Sequence, residues 1–154
     1  MKRRSVMTIV GICALLPALG ARAADDDTYK TAGGLAVYLG VLPAAMIRGH
    51  QTHPEEGMHG GVPSAPHAYH VVAAVFDAST AERIEDAKVE ARVTPRRLAG
   101  ETRALEPMEI AGTVTYGNYF TMGGSDPYGI ELSITLLAGG PPVEVEFTYR
   151  HGIR

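Results

Sequence analysis

Ile130-Glu-Leu-Ser-Ile-Thr-Leu136 alternates apolar and polar residues, and Val143-Glu-Val-Glu-Phe-Thr-Tyr149 repeats the pattern after a Gly139-Gly-Pro-Pro142 break. A period of two puts Ile130, Leu132, Ile134 and Leu136 on one side of an extended chain and Glu131, Ser133 and Thr135 on the other. That is a strand with one face on a core and one in water. Working outward, Val89, Ala91 and Val93 alternate in the same way with Lys88, Glu90 and Arg92. Leu35 to Leu42 and Val71 to Phe76 are apolar on both faces and predict central strands. A further strand or hairpin is expected over Ile110 to Met122, interrupted at Gly117-Asn118. Turn residues separate the runs at Asp77-Ala-Ser-Thr80 and Gly123-Gly-Ser-Asp-Pro127. No stretch predicts an amphipathic helix, and Ser79 to Asp86 offers one turn at most. The pattern predicts an all-β fold, an immunoglobulin-like antiparallel β-sandwich of about seven strands.

Composition sets the outer bounds. A chain of 154 residues suits one core rather than two. With 45% hydrophobic and 20% charged residues it is ordinary for a globular domain. A net charge of −3 and the lack of a basic stripe exclude a nucleic-acid partner. No Ser/His/Asp order, phosphate-binding loop or H-E-x-x-H motif is present, so the chain is not read as an enzyme.

The N-terminus has the form of a secretory signal peptide. Lys2, Arg3 and Arg4 precede an apolar run from Val6 to Leu19, and Ala21-Arg-Ala23 suits cleavage after Ala23. The run is shorter than the roughly 20 residues that span a bilayer. Residues 1–23 are therefore expected to be removed, by the general secretory or the twin-arginine route, leaving a periplasmic domain over 24–154. Four of the 14 basic residues (Lys2, Arg3, Arg4 and Arg22) leave with the leader, so ten face 17 acidic residues, a net −7. The single cysteine, Cys13, leaves too. Disulfides, thiol chemistry and Cys-ligated zinc are thereby excluded from the exported domain.

One segment of that domain has no period. Residues 43–66 form a His/Met/Pro-rich loop with four prolines, and they carry His50, His53, Met58 and His59. His67 and His70 follow, so five of the six histidines fall within 21 residues. Loops of this length inside a compact domain are usually functional or disordered. Imidazole and thioether are the soft donors available without cysteine, and thioether favours Cu(I). The same histidines also suit a solvated loop, and Met108 and Met122 also suit core packing; the residues alone leave both open.

The order Leu35-Ala-Val-Tyr-Leu39, Met46, a strand opening at His70, Pro107-Met108, Tyr116-Gly-Asn118, and Met122 ahead of Tyr128 is informative as a series. It resembles the small periplasmic iron- and copper-binding β-sandwich proteins that accompany bacterial high-affinity iron transport. The resemblance spans most of residues 24–154 in short matches. It implies a dimeric immunoglobulin-like sandwich holding a metal through Met, His and a carboxylate. On this pattern Met108 keeps the family's methionine. The family's second histidine falls on Thr115, its carboxylate on Val72, and a late histidine on His151, so two of four expected ligands are absent.

These readings predict a periplasmic metal-binding protein for metal delivery or homeostasis, with copper ahead of iron. Its expected partners are the metal ion, a membrane transporter or metalloenzyme client, and a second copy of the chain. The candidate ligands are His70 and Met108 on the scaffold, His59 and His67 from the loop, and Met122 as an axial sulfur. His50, His53 and His151 are second choices. The alternative is a non-catalytic immunoglobulin-like interaction module without metal.

Overall fold

A computed structural model of the chain describes residues 28–48, 60–110, 112–124 and 126–151. The expected leader at 1–23 and the loop residues His50, His53, Met58 and His59 lie outside the described residues. Eight strands and one short helix follow one another. They are β1 (Tyr29–Ala32), β2 (Leu35–Pro43), α1 (Ala44–Arg48), β3 (Ala68–Asp77), β4 (Ala87–Pro95), β5 (Glu101–Ile110), β6 (Thr113–Thr121), β7 (Tyr128–Leu136) and β8 (Val143–Tyr149).

All pairings are antiparallel, in the order β1-β2-β3-β6-β5-β4-β7-β8. β5 is the corner. Its first half, Glu101 to Leu105, pairs with β4, and its second half, Glu106 to Ile110, pairs with β6. The chain thereby folds into two layers, β1-β2-β3-β6 and β4-β7-β8, with β5 shared. Strands β4, β5 and β6 run as consecutive neighbours and β7 returns beside β4, a Greek-key order. The outer ends approach each other as well, since a Cβ on Gly33 would lie 2.7 Å from Val143 Cγ2. The result is the expected all-β sandwich, nearly closed.

The alternating runs became β4, β7 and β8, and their apolar sides meet between the layers. Val89, Ala91, Val93, Ile130, Leu132, Ile134 and Phe147 pack there against Val37, Val71, Val75, Tyr116 and Phe120. The runs apolar on both faces became β2 and β3, each with a partner on either side. Tyr116 ties the layers together: its hydroxyl accepts a hydrogen bond from the Ala87 amide at 3.0 Å and donates to the Ile84 carbonyl at 3.2 Å. Burial pushes that phenol above its ordinary pKa.

The eight strands among the described residues agree with the expected sandwich of about seven, β1 and β5 being the two that the sequence pattern does not predict. Two expectations need correction. β5 and β6 pair from Ile110 and Thr113 onward, with Gly112 at φ 77°, so the run is not interrupted at Gly117-Asn118. Those two residues lie inside β6, with Val72 and Val71 across β3. Asn118 satisfies the strand it would otherwise break, donating to the Ala104 carbonyl and accepting from the Tyr119 amide, both at 2.8 Å. The start of the loop segment is α1. Two alanines favour a helix, and five residues are too few to display a helical period. Its Arg48 guanidinium donates to the Pro63 carbonyl.

Candidate metal centre

Alternation along β3 sends Val71, Ala73 and Val75 into the core and His70, Val72 and Ala74 to the outer face of their layer. His70 is nonetheless only 1% exposed. Its ring stacks on Tyr119, the cross-strand neighbour on β6, with centroids 4.5 Å apart and planes 23° off parallel. Tyr119 packs in turn with Ala44 and Ile47 of α1 and with Ala68. The short helix thus roofs this end of the outer face.

Met108 on β5 faces the same way and is 1% exposed. The element that joins it to His70 is Gly117. A Cβ built there would meet Met108 Cε at 2.5 Å, His70 Nε2 at 2.8 Å and Val72 Cγ1 at 3.1 Å. Met108 Cε and His70 Nε2 therefore both crowd the space a side chain would fill, and they lie less than twice that distance apart. Glycine in a strand interior weakens the strand and marks a close approach. Here the approach is that of an imidazole nitrogen and the methyl end of a methionine, side chains whose nitrogen and sulfur are donors suited to copper.

The other candidate residues lie elsewhere. Met122 is packed in the inner core, on the opposite side of the sheet. His67 occupies an exposed turn before β3 with φ 66°, and its ring sits 3.0 Å from where a Cβ of Gly123 would be. His151 packs on Tyr69, which points to the inner side of β3, with centroids 5.0 Å apart. Its ring Nδ1 meets Asp126 Oδ1 at 2.8 Å and its amide donates to the same oxygen at 3.2 Å. Burial raises the Asp126 pKa, but the two hydrogen bonds from His151 outweigh it and leave the carboxyl below its ordinary value. The structure thus brings His70 and Met108 together, and does not bring Met122, His67 or His151 to them. His59 falls outside the described residues. Among the described residues no group of three or more His, Cys, Asp or Glu side chains could hold a metal ion.

No protein-family model matches the chain, and no curated protein does. Solved structures do. A copper-bound variant of FetP from uropathogenic Escherichia coli matches with a TM-score of 0.61 at 16% identity, covering 80% of this chain and 93% of that one. A copper-bound variant of Campylobacter jejuni P19 matches with a TM-score of 0.60 at 12% identity, covering 80% and 93%. A DUF4426 family protein from Pseudomonas aeruginosa matches at 0.59 and 13%, covering 79% and 90%. This chain has the FetP and P19 fold. Within that fold, the two positions at which the resemblance loses a ligand border the His70–Met108 pair on the same face. Val72 lies across from Gly117, and Thr115 lies across from Met108. Sequence reasoning selects His70 and Met108 but gives Gly117 only as an interruption of the 110–122 run. The signal available was a glycine flanked by aromatic residues within an otherwise strand-like run.

Proposed function

We propose that the chain is a periplasmic copper-binding protein acting in metal delivery or homeostasis. The observation that carries this reading is the convergence of a buried imidazole and a buried thioether on the space left by Gly117. Thioether selects a soft ion, which ranks copper ahead of iron. The copper-bound state of the FetP and P19 neighbours supports it. The leader expected at 1–23 agrees with it, since export would put the domain where cysteine ligands oxidise and thioether does not. His70 is the ligand able to serve both oxidation states of copper, and Met108 holds Cu(I). His59 is the loop donor that would complete the site. Met122 serves the core. A transporter or metalloenzyme is the expected recipient.

The test is Cu(I) affinity by chelator competition. His70→Ala and Met108→Leu should each weaken Cu(I) binding at least tenfold, whereas Met122→Leu should leave it unchanged. Met→Leu conserves volume, so both leucine variants should fold. Parent-like affinity in both site variants would refute the assignment.

One observation favours the interaction module. Tyr29, Tyr38, Leu42 and Met46 are large apolar side chains left 43%, 50%, 39% and 58% exposed. Tyr29 and Tyr38 pack at 4.7 Å on β1 and β2, and Tyr38, Leu42 and the α1 residue Met46 lie on the site's side of the sheet. A partner protein or a second copy would bind there. A chain that is monomeric at high concentration and captures no partner would remove this reading.

A further inference from the structure

The pocket has a third side. Gly117 on β6 stands between two cross-strand neighbours, Val72 on β3 and Glu106 on β5. Directly opposed residues in an antiparallel pair have Cβ atoms about 4.5–5.5 Å apart. Gly117 has no Cβ, and the point where one would be is crowded by His70 Nε2 and Met108 Cε. Glu106 therefore opposes the donor pair itself. Alternation along β5 puts Glu106 on the same face as Met108, two residues on, while Glu109 falls on the opposite parity. A glutamate carboxylate oxygen stands three bonds beyond its Cβ, a reach comparable to the about 4.5–5.5 Å between opposed Cβ positions. His70 and Met108 are buried, whereas Glu106 is exposed, so it marks the side open to solvent.

We infer that Glu106 is a ligand of the His70–Met108 pocket, supplying a carboxylate oxygen from β5 to a bound copper ion. This rests on the copper reading above and adds to it the preference between oxidation states. His and Met are both neutral donors. An anionic oxygen adds charge that stabilises Cu(II) more than Cu(I), because carboxylate is the harder ligand. It also lies where an ion entering from solvent would first meet the protein.

The experiment compares Cu(II) and Cu(I) affinities of the full mature chain with those of Glu106→Gln and Glu109→Gln. Both changes remove one negative charge from the same strand, but only the first removes a carboxylate from the site face. Glu106→Gln should weaken Cu(II) at least tenfold and Cu(I) by less than threefold, and should change the Cu(II) electron paramagnetic resonance spectrum. Glu109→Gln should leave all three readouts as in the parent. Equal behaviour of the two variants, or an unchanged Cu(II) spectrum in Glu106→Gln, would overturn the inference. If His70→Ala and Met108→Leu weaken Cu(I) while Glu106→Gln leaves Cu(II) intact, Glu106 falls and the site stands. If those two variants bind Cu(I) like the parent, the copper reading falls and this inference with it.

Discussion

Placing one methyl group at residue 117 tests the site most directly. In Gly117→Ala the new Cβ would lie 2.5 Å from Met108 Cε, 2.8 Å from His70 Nε2 and 3.1 Å from Val72 Cγ1. Ordinary carbon–carbon contact is about 3.5–4.0 Å, so the methionine end must move by about 1 Å and the imidazole edge by nearly as much. Overpacking of this kind typically costs about 1–3 kcal/mol. Replacing a strand glycine returns roughly 0.5–1 kcal/mol, and the Met108 terminus is flexible. The net destabilisation should be about 0.5–2 kcal/mol, a shift of several degrees in melting temperature. The effect on copper should be larger, because the methyl pushes on both the His70 imidazole nitrogen and the end of the Met108 side chain. Losing one good donor geometry weakens binding at least tenfold, equivalent to about 1.4 kcal/mol. Gly40→Ala is the control: its Cβ would meet Val72 Cγ2 at 2.7 Å and touch neither donor. Chelator competition and thermal melts on both variants decide the matter. If Gly117→Ala folds and binds copper as tightly as Gly40→Ala, the space at residue 117 is not the site.

Two further predictions concern the scaffold. Tyr116→Phe should lower stability by about 1–3 kcal/mol in urea denaturation, since it strips partners from the Ala87 amide and the Ile84 carbonyl; a change below about 0.5 kcal/mol would deny the inter-layer role of that hydroxyl. Asp77 accepts from the Ser79 hydroxyl and from the Thr80 and Ser79 amides, which lower its carboxyl pKa to about 2. Because the folded value is the lower one, the stabilisation is complete above the ordinary value of 3.8 and disappears as pH falls through about 2. Asp77→Asn should therefore be less stable than the parent at pH 7, with the difference closing below pH 3; a constant difference across that range would refute the assignment.

Much of the fold was legible because burial writes itself locally. Ile130 to Leu136 needs no knowledge of its partners to declare one wet and one dry face, and Val71 to Phe76 needs none to declare two dry ones. Residues whose role depends on a distant neighbour were less readable. Gly117 reads as an interruption because glycine weakens a strand as readily as it permits a close approach, and only the β3–β6–β5 register separates the two. Met108 and Met122 look alike in sequence, yet one faces the outer pocket and the other the core. Parity within a strand is set locally, but which parity faces which layer is set by how the strands pair.

The amino-acid sequence alone determined an all-β domain, the boundaries of most of its strands and a supply of soft donors free of cysteine. Local period, turn residues and composition act over a few residues and require no partner. Tertiary structure decided which donors meet. His70 and Met108 belong to strands that are not hydrogen-bonded to each other, and β6 lies between them with a glycine at the crossing. Only the paired register of three strands, roofed by α1, places an imidazole and a thioether in one pocket while leaving Met122 on the other side of the same sheet.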